Sequence, residues 1–295
     1  MSSFNGVLTA LITPMRDGAI DDAALIDLVE RQIAGGIDGL VPCGTTGEAT
    51  TLSLAEHVHV VRTVKAAARG RVPVVAGAGA NDTRKAIELT RACHEVGVDA
   101  VLHVTPYYNK PPQAGLVAHF TAIAHSAPVP VLLYNVPGRT GVDMSAETVA
   151  KLAQVPGIVG IKEATGDMHR ASRIRELCGD RFALLSGDDF TILPFLAVGG
   201  HGVISVVSNV LPGVIADLCR SAREGHWERA RALHERQLPL TRALFTVANP
   251  IPVKAAMAML GRCTPEIRLP LVPLDPQSPE GKALAAELGK LGSAA

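Results

Sequence analysis

The chain has 295 residues and carries 28 lysines and arginines against 28 aspartates and glutamates, a formal net charge of zero. This balance argues against a general binder of nucleic acids or of anionic membranes, because such proteins show an excess or a patch of basic residues. The sequence has no run near the ~20 apolar residues of a membrane helix, and its first residues lack the basic region of a secretory signal.

Short runs rich in valine, isoleucine and leucine recur along the first three-quarters of the chain. Each has the length and the near-continuous apolar character of a buried parallel strand. There are eight of them: Val7–Ile12, Asp38–Pro42, Val72–Ala76, Asp99–Val104, Pro130–Tyr134, Ile158–Lys162, Phe182–Leu185 and Gly202–Val206.

Amphipathic stretches lie between these runs, such as Ala55–Arg69, Thr83–Val96 and Ala114–His125. Eight units of a strand followed by a helix favour an α/β fold, a closed (β/α)8 TIM barrel of about 250 residues. An open doubly wound sheet is the alternative. It is disfavoured because no Gly-x-Gly-x-x-Gly follows the first strand.

The pattern changes after Arg223, where helical stretches follow one another without strands between them. We predict helices over His226–Thr246, Pro250–Leu260 and Pro279–Leu291, with a proline-rich connector before the last. The chain therefore divides into a barrel domain, residues 1–224, and a C-terminal helical extension, residues 225–295.

The five cysteines are scattered, with no Cys-x-x-Cys pair and no histidine-rich neighbourhood. An odd, scattered set argues against a disulfide framework or a structural zinc site and is typical of a reducing cytoplasm. We therefore expect a cytoplasmic protein without a structural metal site.

Polar residues follow five of the predicted strands. In a barrel these carboxyl-terminal strand ends converge on the face that carries active sites. The segments are Cys43–Glu48, Thr105–Asn109, Tyr134–Arg139, Lys162–Asp167 and Ser186–Asp189.

Lys162 ends the apolar run of the sixth strand, so its amine is expected inside the mouth of the barrel. Burial lowers the pKa of a lysine from its usual ~10.4. A partly neutral amine can attack a ketone and form an iminium, which then accepts electrons during carbon–carbon chemistry. The alternative is a lysine that extends to solvent or pairs with Glu163, and the neighbouring residues favour the first interpretation.

Those neighbours can supply proton transfer and carboxylate binding. Tyr134 ends the preceding strand, and its phenol together with the hydroxyl of Thr45 could move the protons that imine chemistry requires. The backbone N–H groups of Gly44–Gly47 could hold a carboxylate, and the guanidinium of Arg139 suits a second one. A turn role for Thr45 and a solvated surface position for Arg139 are the alternatives.

Two other polar pairs favour simpler interpretations. His57 and His59 are two positions apart, which separates their rings on a helix, so we expect solvated histidines and no metal pair. Asp188 and Asp189 lack further ligands at metal spacing and are interpreted as a helix N-terminal cap.

These segments together resemble the 4-hydroxy-tetrahydrodipicolinate synthase (dihydrodipicolinate synthase) family of pyruvate-dependent class I aldolases. The motifs that carry the resemblance are spread over nearly the whole chain and are specific as a set. They are Gly44–Glu48, Thr105–Asn109, Tyr134–Arg139, Gly160–Ala164, Ser186–Asp189 and Asn249–Lys254.

The resemblance implies a condensation of pyruvate with L-aspartate 4-semialdehyde in lysine and diaminopimelate biosynthesis, without metal or diffusible cofactor. It implies a homotetramer made of tight dimers. It implies that Lys162 forms the Schiff base and that Tyr134, Thr45 and, from a neighbouring subunit, Tyr108 form a proton relay. It implies that Thr46 binds the pyruvate carboxylate and Arg139 the aldehyde carboxylate. Gly187 and Ile204 are implied to line the site.

Three positions depart from the family pattern. Lysine-inhibited relatives carry a histidine and a glutamate where this sequence has Leu54 and Lys85, and Ala49 replaces a common serine. Feedback inhibition by lysine is therefore not expected to carry over.

Two other functions stay open: a sister Schiff-base aldolase acting on a sugar acid or a hydroxy-keto acid, which Arg139 disfavours, and a non-catalytic barrel that binds small acids.

Overall fold

The structure, a computed structural model, describes residues 4–292. Eight parallel strands form one sheet in which strands that follow each other in the chain are neighbours, and the last strand pairs with the first. The second and third strands are joined by a single bridge, between Leu40 and Val74, which closes the sheet into a barrel. Each predicted run overlaps one strand, so the predicted (β/α)8 barrel is confirmed. The strands are β1 (Gly6–Ala10), β2 (Gly39–Val41), β3 (Val75–Gly77), β4 (Ala100–Val104), β5 (Val131–Asn135), β6 (Ile158–Glu163), β7 (Ala183–Ser186) and β8 (Gly202–Ser205).

A helix follows every strand and packs on the outside of the barrel. A four-residue helix, α5, precedes α6 in the fifth unit. The helices are α1 (Asp22–Ala34), α2 (Leu54–Ala68), α3 (Thr83–Val96), α4 (Gln113–Ala124), α5 (Pro137–Thr140), α6 (Ala146–Leu152), α7 (Met168–Cys178), α8 (Ile192–Ala197) and α9 (Pro212–Arg223).

A small hairpin between β1 and α1 was not predicted from the sequence. Its strands, Met15–Arg16 and Ala19–Ile20, have only two residues each. The turn between them places Asp17 and Gly18 at φ values of 53° and 80°, the left-handed conformation that tight hairpins require. Strands this short contain too few residues to show in the sequence the alternation of apolar and polar side chains by which a strand is recognised.

Alternation along the strands divides the buried residues into an inner and an outer core. On β6, Ile161 packs with the helix layer, so Lys162 faces the barrel interior. Tyr134 of β5 is the register partner of Lys162 and belongs to the inner core. The fold therefore brings the phenol and the amine together inside the barrel. The inner core also contains Phe4, Leu8, Val41, Val75, Leu102, Leu132, Leu185 and Ile204.

The C-terminal helices are α10 (Trp227–Leu244), α11 (Ile251–Met259) and α12 (Pro279–Gly292). Helix α10 packs against α8 and α9, and α12 packs against α10 and α11. The predicted C-terminal helices are confirmed, whereas a domain division at residues 224 and 225 stays a prediction. Among the described residues no helix combines the length and the apolar character needed to cross a membrane.

Candidate active site

Lys162 occupies the buried carboxyl-terminal end of β6. Its side chain is 6% exposed, and its Nζ lies 4.5 Å from the centroid of the Tyr134 ring. Burial lowers the pKa of this lysine to about 8; the carboxylate of Asp189 opposes the shift and the guanidinium of Arg139 adds to it. A substantial fraction of the amine is thus neutral near physiological pH and able to act as a nucleophile.

Glu163 does not pair with this lysine. Its carboxylate accepts from the main-chain nitrogen of Thr165 at 2.8 Å and from the side-chain amide of Asn135 at 3.1 Å. Because successive strand residues point to opposite faces, Glu163 is directed toward the helices. The interpretation of Lys162 as one half of a simple ion pair is therefore wrong.

Glycine at position 187 leaves room for the lysine side chain. A Cβ added to Gly187 would lie 2.6 Å from the Cβ of Ala164 and 2.8 Å from the Cε of Lys162, distances that require one of them to move. Ile204 on β8 is 1% exposed and belongs to the inner core. Both residues thus lie on the inner side of the barrel, where the resemblance implied a lining role.

Tyr134 and Thr45 line the same cavity, and the Thr45 hydroxyl is near enough to the phenol to affect its pKa. Burial raises the pKa of the Tyr134 phenol, although Arg139 and the Thr45 hydroxyl partly offset that shift. The phenol consequently keeps its proton at neutral pH and can donate it. Two of the three residues of the predicted relay are therefore adjacent within one chain.

A cavity of about 440 Å³ is lined by Thr45 and Tyr134 but not by Lys162, Thr46, Gly187 or Ile204. Arg139, His57 and Lys85 also line it. The cavity is large enough for two small acids.

Thr46 and Arg139 have a common neighbour in the C-terminal extension. Thr46 is 3% exposed, and its Oγ1 accepts from the side-chain nitrogen of Asn249 at 3.0 Å. Arg139 donates to the main-chain carbonyl of Asn249 at 3.2 Å. Asn249 thus forms a hydrogen bond with each of the two side chains that are predicted to bind carboxylates.

Tyr108 does not join the other predicted site residues within a single chain. It is 89% exposed and has a φ of 74°, in the left-handed region. Its neighbour Tyr107 lines the cavity instead.

The prediction of solvated histidines is wrong for His57 and confirmed for His59. His57 is 3% exposed, and its Nε2 lies 2.8 Å from the carbonyl of Gly77, because this side of α2 faces β3. His59, on the opposite side of the helix, is exposed and pairs with Asp22.

The predicted capping role of the aspartate pair is confirmed for Asp188 and wrong for Asp189. Asp188 accepts from the main-chain nitrogen of Phe190 at 3.3 Å. The carboxylate of Asp189 is buried and accepts from the Ser205 hydroxyl at 2.5 Å and the Val206 nitrogen at 2.8 Å. It therefore joins the end of β7 to the end of β8.

Residues of the extension that contact the β2–α2 loop had no assigned role in the sequence analysis. Lys254 of α11 forms a buried ion pair with Glu48, and the main-chain nitrogen of Arg268 donates to Glu48 at 3.0 Å. Asn249–Lys254 was noted as a motif of the resemblance, and Lys254 interrupts the otherwise apolar stretch Ile251–Met259, but neither signal identifies Glu48 as its partner.

Comparisons with known proteins agree with this arrangement. The family model described as "Dihydrodipicolinate synthetase family" matches residues 3–287. A 4-hydroxy-tetrahydrodipicolinate synthase of Magnetococcus marinus is 56% identical over 268 residues, covering 91% of this chain and 92% of the relative.

Two solved structures show the same fold. The 4-hydroxy-tetrahydrodipicolinate synthase of Methylacidiphilum fumariolicum SolV is 46% identical with a TM-score of 0.96, covering 99% of this chain and 97% of the other. The enzyme of Cyanidioschyzon merolae, with lysine bound, is 42% identical with a TM-score of 0.95, and the match covers 99% of both chains.

Proposed function

The chain belongs to the dihydrodipicolinate synthetase family, and from that premise we propose that it is a lyase that condenses pyruvate with L-aspartate 4-semialdehyde to give 4-hydroxy-tetrahydrodipicolinate. The observation that carries the proposal is the buried Lys162, whose lowered pKa and contact with Tyr134 suit Schiff-base formation. Relatives more than half identical bear the name of this enzyme. The product belongs to lysine and diaminopimelate biosynthesis.

The reaction needs one covalent residue and several proton transfers. The amine of Lys162 adds to the ketone of pyruvate, and loss of one water gives an imine. Removal of a proton from the methyl carbon gives an enamine, whose carbon attacks the aldehyde. The amino group of the semialdehyde then attacks the imine carbon, closes the ring and releases Lys162. One water leaves overall, which balances the condensation.

The neighbouring residues suit the proton transfers. Tyr134, with its raised pKa, donates a proton to the departing hydroxyl and recovers it through the Thr45 hydroxyl. Thr46 donates to the pyruvate carboxylate, together with exposed backbone N–H groups of its loop. Arg139 binds the carboxylate of the semialdehyde, and Gly187 and Ile204 line the site.

The two other functions receive less support. A sister aldolase for sugar acids would use the same lysine, but the family match and the named relatives favour the amino-acid aldehyde. A barrel that only binds small acids needs neither a nucleophilic lysine nor a tyrosine beside it.

The test of the proposal is trapping with borohydride. Pyruvate plus borohydride should add one pyruvate-derived group per chain, on the peptide that contains Lys162, as measured by mass spectrometry. Lys162→Ala should remove the adduct, and Lys151→Ala, on the exposed surface of α6, is the matched control. An unmodified chain, or a label on another lysine, would contradict the proposal.

The proposal includes a homotetramer of tight dimers in which Tyr108 acts in the site of a neighbouring subunit. Its 89% exposure leaves the side chain available to a neighbouring subunit and supports a role outside its own chain. The free state of all five cysteines supports a cytoplasmic location.

Complementation tests the shared site. Tyr108→Phe and Lys162→Ala proteins should each be nearly inactive, whereas subunits mixed by unfolding and refolding should regain activity. In a mixed dimer, the Lys162→Ala subunit supplies Tyr108 to the intact lysine of its partner. No recovery, with mixed dimers verified by mass, would place the tyrosine in its own subunit.

A further inference from the structure

Asn249 belongs to the C-terminal extension, yet it contacts both side chains assigned above to the substrate carboxylates. It lies between α10 and α11 and is 7% exposed. Its Nδ2 donates to Thr46 Oγ1 at 3.0 Å, and its main-chain carbonyl accepts from Arg139 at 3.2 Å.

The direction of the bond to Thr46 has a chemical consequence. A hydroxyl has one proton to donate and two lone pairs that accept. Because the amide nitrogen of Asn249 is the donor, Thr46 accepts and keeps its proton for another partner. The proton of a hydroxyl oriented in this way already points toward the anion site, so the hydroxyl can bind an anion without first rotating.

The other half of the Asn249 amide is unsatisfied. Among the described residues, none donates a hydrogen bond to the buried Oδ1 of Asn249. A buried acceptor without a donor lowers stability, and such groups call for an explanation in function. A rotated amide would accept the proton of Thr46 and withdraw it from a substrate, so the two orientations predict different chemistry.

Building on the proposed function, we propose that Asn249 is a positioning residue for the two carboxylate sites. Its side-chain amide turns the proton of the Thr46 hydroxyl toward the pyruvate carboxylate. Its carbonyl fixes the Arg139 guanidinium, which binds the carboxylate of the second substrate. The extension thus completes a site whose reacting groups all belong to the barrel.

Substitutions at Asn249 separate positioning from a purely structural role. Asn249→Ala removes the donor, so KM for pyruvate should rise about tenfold, the size of one hydrogen bond to a charged group, with little change in kcat. Asn249→Asp has the same shape but accepts the Thr46 proton and adds negative charge, so its KM should rise further. Thr246→Val removes a hydroxyl that bonds only the Ala243 carbonyl nearby, and it should leave both KM values unchanged.

A double variant tests the specific contact. If Asn249 acts through Thr46, Thr46→Val/Asn249→Ala should have the pyruvate KM of Thr46→Val alone, because both changes remove one interaction. Independent multiplication of the two effects would overturn the inference. So would a wild-type pyruvate KM in Asn249→Asp, or a lower melting temperature in Asn249→Ala with both KM values unchanged.

The outcome is separable from that of the proposed function. If the unmodified protein forms no borohydride adduct at Lys162, the proposed reaction fails. If Asn249→Ala forms that adduct with the pyruvate dependence of the unmodified protein, only the positioning role of Asn249 fails.

Discussion

Lys162 lies where a positive charge is costly, and the reactivity proposed for it follows from that position. Burial is the largest influence on its pKa, which falls to about 8. At pH 7 roughly a tenth of such side chains are neutral, against fewer than ~1 in 1,000 for a lysine with the usual pKa. The fold thereby favours the neutral amine that the proposed Schiff-base chemistry requires.

This lowered pKa predicts a pH dependence of imine formation. Deprotonation produces the reactive amine, so the rate of borohydride-trapped adduct formation should rise about tenfold per pH unit below pH 8 and level off above it. Burial raises the pKa of Tyr134, so the phenol adds no second change between pH 6 and 9. The measurement is single-turnover trapping with pyruvate across that range.

Arg139→Ala is the informative comparison for this profile. The guanidinium contributes to lowering the pKa of Lys162, so its removal should shift the midpoint to higher pH. Pyruvate trapping does not require the aldehyde site, and the plateau should therefore survive. A flat profile between pH 6 and 9 would contradict the assignment of a titrating lysine.

Contacts between distant elements hold the loop that carries Thr45 and Thr46. Glu48 of this loop and Lys254 of α11 form an ion pair whose side chains are 2% and 1% exposed. The same carboxylate accepts from the main-chain nitrogen of Arg268 at 3.0 Å. Among residues 4–292, the partners of this buried carboxylate all belong to the extension.

Breaking this pair should destabilise the protein strongly. Lys254→Met leaves the carboxylate buried without its cation, a change that costs about 3–5 kcal/mol in other proteins. We expect the free energy of unfolding in urea to fall by that amount. Glu48→Gln/Lys254→Met removes both charges and should recover most of the loss. A double variant no more stable than Lys254→Met would assign the effect to packing instead.

Local patterns sufficed to predict the barrel, because a buried strand and an amphipathic helix each show their period within one segment. The same holds for Lys162, whose strand end was visible as the end of an apolar run. The side of α2 that faces β3 was not visible locally, which is why His57 was interpreted wrongly. Contacts such as Asn249 with Thr46 join residues about two hundred positions apart, and no local period reports them.

The cavity beside Tyr134 reaches residues outside the proposed catalytic groups. Its lining includes Tyr134 and Arg139 together with His57, Tyr107 and Lys85. Of the two departures from the pattern of lysine-inhibited relatives, Lys85 lines this cavity, whereas Leu54 is 43% exposed and does not. The positive charge of Lys85 is therefore the departure that would act more directly on a ligand in this cavity.

We predict that this enzyme is insensitive to lysine, or is inhibited only far above the concentrations that stop relatives with an acidic residue at the position of Lys85. A lysine ligand brings two ammonium groups, and a pocket must offset part of their charge. The ammonium of Lys85 repels them instead. Even a repulsion reduced by solvent and salt to ~1.4 kcal/mol weakens binding about tenfold. Loss of the acidic partner lowers affinity further.

The measurement is a steady-state assay with rising L-lysine, on the unmodified protein and on Lys85→Glu/Leu54→His. The double variant should gain inhibition because it restores a negative charge at the cavity wall. Lys65→Glu, on the outer surface of α2 where the lysine pairs with Asp99, is the charge-matched control and should gain none. Strong inhibition of the unmodified protein below millimolar lysine would show that Lys85 does not face the ligand. In that case the lysine-bound relative from Cyanidioschyzon merolae would be the better guide to this cavity.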